Sequence, residues 1–268
     1  MKERFSNPPL REIIAEITWD QPDMGQDHDL TESVYQQAFE ETFNDFLDKV
    51  GERGYTRSER LVPVNFLCPP EQVVFRAKHS NFRKGKDVES KAIYQMGYGV
   101  FTVNVVPPYT TWDEFSPLVK SGLEDFLSLS LPGGSPEEYK LKLRYVNAFD
   151  EELTKGKSHK DFLSEALNVS LNVPDVFIKE SAGSVELPLL DIVIPLEFGK
   201  LKLRLAEGMV NSTKAFILDM AVVFNITYSG DVEEIMDAFS RGRESVHKIF
   251  VSMTKILHEE MGLSEGES

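Results

Sequence analysis

The chain has 268 residues, 41% hydrophobic and 27% charged, enough for one large or two modest packed domains and too apolar for wholesale disorder. The formal charge is −15, with 17 basic and 24 acidic residues in 1–150 and 12 and 20 in the remainder, so the acidity is no detachable tail and argues against nucleic acid as the main partner. The single cysteine, Cys68, excludes an intrachain disulfide and a cysteine-based zinc site, and fits a reducing cytoplasm. Met1 to Pro9 carries no apolar h-region, so no secretion signal is expected, and no apolar run is long enough to span a bilayer.

In Leu10–Trp19, Ile13, Ala15, Ile17 and Trp19 alternate with Ile14, Glu16 and Thr18, the period of a strand. The acidic stretch that follows, with Asp23, Asp27, His28 and Asp29, does not have the spacing of a calcium loop and reads as a solvated loop. Residues 31–50 predict an amphipathic helix with Tyr35, Ala38, Phe39, Thr42, Phe43, Phe46, Leu47 and Val50 on one stripe, Thr31 as N-cap and Gly51 as stop. Next come a strand over Val73–His79 and a loop whose Arg83, Lys84 and Lys86 make a basic cluster. That cluster is either a plain hairpin tip or a contact point for an acidic partner.

Lys91 to Val106 reads as one long strand in which Gly97 and Gly99 share a face, the mark of a bulge, a sharp bend, or close approach of another backbone or a ligand. No helix opens at these glycines, so a dinucleotide site is rejected. Thr111 and Glu114 predict a capping box for a helix to about Leu129 that buries Trp112, Phe115, Leu118, Val119, Gly122, Phe126 and Leu127. A strand over 139–149 follows. Its Arg144 must reach water or pair with a carboxylate, or else serves as an anion-binding arginine, and Asn147 at its end reads as a turn former. Residues 1–150 therefore run strand, helix, strand, strand, helix, strand, the split βαβ, ferredoxin-like order.

Residues 151–268 predict a short helix over 158–167 with Ser158 as N-cap and Asp161 at N3, then strands Leu189–Phe198, Lys200–Met209 and Ala215–Tyr228. Asp231 caps a long C-terminal helix over 232–258. Its Ile235, Phe239, Val246, Ile249, Met253 and Ile256 make a heptad-like seam through Gly242, suited to gripping the three-stranded sheet or to a dimer contact. The expected fold class is α+β, with two antiparallel sheet-plus-helix halves, 1–150 and 151–268.

No nucleophile elbow, P-loop, zincin motif or kinase set is present. Glu244 and His247, one turn apart, read as a polar helical pair rather than metal ligands, so no metal or cofactor is expected. Three boxes, Pro9-Leu10-Arg11-Glu12 through Ile17, Tyr94-Gln95-Met96-Gly97 through Asn104 with Trp112 downstream, and Leu143-Arg144-Tyr145-Val146-Asn147, resemble an uncharacterised, sporadically distributed bacterial protein family of similar length. The C-terminal helix with His247 and Phe250 is similar to that family's closing segment. The resemblance brings no reaction or catalytic residues; it implies an accessory role in a bacterial conflict or defence system.

The sequence thus points to a cytoplasmic, non-enzymatic protein that binds another macromolecule, with a protein as its expected partner and a homodimer as its expected assembly. The alternative is a small-molecule binder or unfamiliar enzyme with a pocket between sheet and helices, lined by Arg144, Asn147, Gly97, Gly99 and Asn104.

Overall fold

Hydrophobic periodicity sorts the chain into strands and helices as an α+β fold. The computed structural model describes residues 3–21, 32–63, 66, 69, 71–81, 92–107, 111–172, 174–182 and 188–265. In chain order these form β1 (Glu3–Phe5), β2 (Leu10–Thr18), α1 (Glu32–Gly51), β3 (Arg57–Arg60), β4 (Val73–Lys78), β5 (Ile93–Gly97), β6 (Val100–Val105), α2 (Trp112–Leu127) and β7 (Lys140–Phe149). They continue with α3 (Glu151–Thr154), α4 (His159–Glu165), α5 (Asp175–Glu180), β8 (Leu189–Leu196), β9 (Gly199–Val210), β10 (Thr213–Phe224), α6 (Val232–Met253) and β11 (Leu263–Glu265). Nine strands make one sheet in the order β3-β4-β5-β6-β2-β7-β10-β9-β8, and β1 pairs with β11 separately.

The expectation of two half-sheets is therefore corrected to one antiparallel sheet. The ferredoxin-like count of four strands before residue 150 is exceeded by three, by β1 outside the large sheet and for two local reasons within it. Arg57–Arg60 forms a short charged strand that carries no apolar alternation. The single long strand expected over 91–106 is the β5–β6 hairpin, folded at Tyr98-Gly99 with Gly97 opposite Val100. Gly99 has φ +81, which the turn requires and a side chain would resist, so it marks a reversal; Gly97 stands where the β4–β5 register shifts between Val73 and Phe75, the expected bulge. Asn147 also stands inside β7 rather than at its end.

By compactness the chain forms two units, neither continuous in sequence: Met1–Arg11, Tyr145–Val222 and Gly242–Ser268 make one, Glu12–Arg144 and Val223–Arg241 the other. In the second, the apolar faces of α1 and α2 supply an aromatic core. Phe46 meets Tyr94 and Phe101 edge-on with centroids 5.7 and 5.5 Å apart, and Phe126 stacks on Phe101 at 4.5 Å. Each such ring contributes about 1.5–3 kcal/mol by burial alone. In the first, Leu201, Leu203 and Leu205 of β9 and Leu218, Met220 and Val222 of β10 are all buried, while Phe162 of α4 packs on Phe149.

The long C-terminal helix ends at Met253, five residues early, and a 3-10 turn, Lys255–Leu257, follows. Ile235, Phe239, Gly242 and Val246 are buried within the chain, so that part of the seam belongs to the core and is not open to a second copy. Ser158 caps α4 as expected, accepting from the Asp161 amide at 3.2 Å. Asp231 accepts from the Glu234 amide at 3.0 Å at the start of α6. The basic cluster at Arg83, Lys84 and Lys86, Cys68, and the acidic stretch with Asp23, Asp27, His28 and Asp29 lie outside the described residues.

Candidate functional site

The five residues expected to line a pocket have different local roles. Gly97 meets backbone: a Cβ there would overlap the carbonyl oxygen of Gln72, so the glycine is explained by close chain approach. Gly99 serves the β5–β6 turn, and a Cβ on it would stand 2.9 Å from the Trp19 carbonyl oxygen. Arg144 is half-buried in β7 and already engaged. Asn147 is buried and its side-chain amide donates to the Leu218 carbonyl at 3.3 Å, tying β7 to β10. Asn104 stands on β6, five residues beyond the turn residue Gly99 and about 16 Å from it along an extended chain.

Asn104 joins a hydrogen-bond chain that crosses four strands. Arg76 Nε donates to Gln95 Oε1 at 2.9 Å, and Gln95 Nε2 donates to Thr102 Oγ1 at 3.1 Å and Asn104 Oδ1 at 3.2 Å. The Thr102 hydroxyl donates to Asn104 Oδ1 at 2.6 Å, and Asn104 Nδ2 donates to the Glu12 carboxylate at 2.8 Å. Every donor points the same way, from the Arg76 cation to the Glu12 anion, so the dipoles reinforce one another in a buried setting. Beyond Arg76, Glu59 binds Lys78 at 2.7 Å, and that bond holds its carboxyl below the ordinary value. Every named member has a partner, which makes this chain a device for fixing strand register more than a reactive centre.

A cleft of about 770 Å³ opens where the β9–β10 turn faces the loop between α3 and α4. Its turn residues Asn211 and Ser212 have φ 50 and 67, the left-handed pair expected of a two-residue hairpin. The His159 ring stacks on Phe216, centroids 4.9 Å apart, and gives the cleft a flat aromatic wall. Glu151, Glu207, Lys157 and Lys214 bring both signs of charge to the lining. A smaller hollow of about 320 Å³ continues past Lys214 to Arg11, which donates to Asp150 at 3.2 Å. Such a lining suits a small polar ligand with an unsaturated ring. Among the described residues no group of three or more histidine, cysteine, aspartate or glutamate side chains could hold a metal ion.

The sheet edge at β8 is the third candidate. Its sequence, Leu-Leu-Asp-Ile-Val-Ile-Pro-Leu, reads as a buried strand, yet β8 ends the strand order with β9 as its sheet neighbour. Leu189 and Val193 are 52% and 57% exposed. On the same outward face β9 presents Lys200, Lys202 and Arg204, all exposed. Arg204 binds Asp191 through two bonds of 2.8 and 2.9 Å, which hold that carboxyl below its ordinary value, and it also feels Asp219. Lys202 adds to the field at Asp191, and neither Lys200 nor Lys202 forms an ion pair among the described residues. The opposite edge, β3, is Arg-Ser-Glu-Arg, the charged composition that discourages pairing. The signal missed in the sequence is Pro195, because a proline inside an apolar strand places it at an edge.

Compared with family models, with curated proteins and with solved structures, the chain matches none. Among the described residues no helix is long and apolar enough to cross a membrane.

Proposed function

We propose that this protein acts by binding another macromolecule, and that the β8–β9 surface is where it does so. The supporting observation is the pairing of exposed Leu189 and Val193 with Lys200 and Lys202, which form no ion pair among the described residues, in a chain whose formal charge is −15. Apolar side chains at an uncovered sheet edge expose the protein to aggregation unless a partner covers them. The setting is a bacterial cytoplasm, in an accessory conflict or defence role, as the family resemblance and the single cysteine suggest. The test compares tagged wild type with a Leu189→Lys/Val193→Lys double variant and with Val176→Lys, an exposed control position outside the strand. A protein retained by wild type and by the control but lost from the double variant supports the reading. Equal retention by all three overturns it.

A second reading is small-molecule binding in the cleft near His159, favoured by its volume of about 770 Å³ and aromatic wall. A native mass spectrum of freshly purified protein carries a discrete extra mass under this reading, and Lys214→Glu reduces its occupancy. A bare protomer of unchanged mass counts against it.

A further inference from the structure

We infer that the occupant of this surface is an extended acidic segment of a partner protein, added to the sheet edge as a strand beside β8; this rests on the binding role proposed for the β8–β9 surface. The register of β8 and β9 decides which backbone groups are on offer. Leu196 and Gly199 flank the two-residue turn Glu197-Phe198 and face one another as a hydrogen-bonded pair. Alternation then turns Ile194, Ile192 and Leu190 toward β9, opposite Leu201, Leu203 and Leu205. The N–H groups of Leu189, Asp191 and Val193 point away from β9, together with the carbonyls of those residues and of Pro195. Pro195 has no N–H to lose, and it falls at an outward position, where its absence costs the β8–β9 ladder nothing. None of the three outward donors has a partner among the described residues.

The side chains then specify the incoming strand. On the inward face, Leu190, Ile192 and Ile194 are only half-buried, so an added strand gains by placing apolar residues there. On the outward face, Lys202 lies opposite Val193 and Lys200 opposite Pro195. Strands lie about 4.8 Å apart, so an acidic residue on an added strand stands about 10 Å from the β9 backbone, within reach of a lysine extended across β8. Arg204 is already shared between Asp191 and Asp219, which leaves the two lysines to choose the partner's charge. The matching segment alternates apolar and acidic residues. Main-chain bonds supply the affinity and the alternate side chains the selectivity, the strand-addition mode of peptide recognition.

The experiment titrates the whole chain with short peptides that alternate valine with glutamate or valine with lysine, read by fluorescence anisotropy. The glutamate peptide should bind and weaken as salt rises, and the lysine peptide should not. A Lys200→Glu/Lys202→Glu variant should lose about tenfold or more in affinity for the glutamate peptide. Val193→Pro removes an outward donor and should abolish binding; its melting temperature shows that it folds. In the unaltered chain, bound peptide should slow amide exchange at Leu189, Asp191 and Val193, a readout that needs no variant. Equal binding of the lysine peptide, or exchange at those amides unaffected by bound peptide, overturns the proposal. If Val193→Pro keeps a partner that the Leu189→Lys/Val193→Lys variant loses, the surface still binds a macromolecule but not as a strand. Self-association abolished by Val193→Pro would make the occupant a second copy and overturn the acidic segment.

Discussion

Asn104 shows how far one side chain's role depends on its neighbours. Its amide links the Gln95–Thr102 pair to Glu12, so Asn104→Ala removes an acceptor for two donors and the donor that serves a carboxylate. Unsatisfied buried groups cost about 1–3 kcal/mol each, and the chain has more than one, so the variant should lose roughly 2–4 kcal/mol in urea unfolding. Tyrosines report the other buried chemistry at this scale. Burial, helped by the nearby Tyr98, pushes the Tyr35 phenol up from 10 to about 12, and burial raises Tyr94 further, followed by its neighbour Tyr55. The folded state therefore resists ionisation that the unfolded state accepts near pH ~10. Stability contributed by these groups is complete below that pH and is lost as pH rises toward the folded value. Phenolate absorbance of Tyr35 and Tyr94 should appear together with loss of circular dichroism, and ionisation of both well before unfolding would contradict the assignment.

At the scale of elements, α2 and β5 are held close by a missing side chain. A Cβ on Gly122 would overlap the ring of Tyr94, whose hydroxyl donates to the Leu118 carbonyl at 3.1 Å. Alanine is the better helix former by about 1 kcal/mol. Overpacking a tight core costs about 1–3 kcal/mol, and this ring is pinned by its own hydrogen bond. Packing should win, so Gly122→Ala should lower stability by roughly 1–2 kcal/mol in a thermal melt, where an exposed helical glycine would gain. The amphipathic stripe that marked α2 also placed Gly122 on its buried face, while the clash with Tyr94 depends on a strand 24 residues away in the hydrogen-bond pairing. The β5–β6 hairpin is the opposite case. An apolar run on both sides of Tyr98-Gly99 hid a reversal, because residues of β6 are buried on both faces and show no alternation.

For the whole molecule, charge is distributed unequally between the two units. The unit built on Glu12–Arg144 and Val223–Arg241 holds 15 basic and 26 acidic residues, against 14 and 18 in the other. Exposed ion pairs such as Lys140–Asp20 contribute little and are weakened further by salt. The long-range repulsion of a large net charge is weakened as well, and here it is the larger sum. Raising salt from low to physiological strength should therefore raise the melting temperature. A fall would mean that the ion pairs outweigh the repulsion.

The local elements of this protein follow from short-range residue patterns. Period 3.6 set α1, α2 and α6, period 2 set β2, β7 and β9, and Ser158 and Asp231 marked helix starts that the structure bears. These features act over a few residues, so short-range composition suffices to specify them. Long-range pairing is what joins the strands in one sheet, bonds Asn104 and Asn147 across strands, and leaves β8 at an edge with Lys200 and Lys202 beside it. Strand neighbours are chosen by pairing across dozens of residues, and an apolar strand has the same composition whether one or both of its backbone edges are bonded.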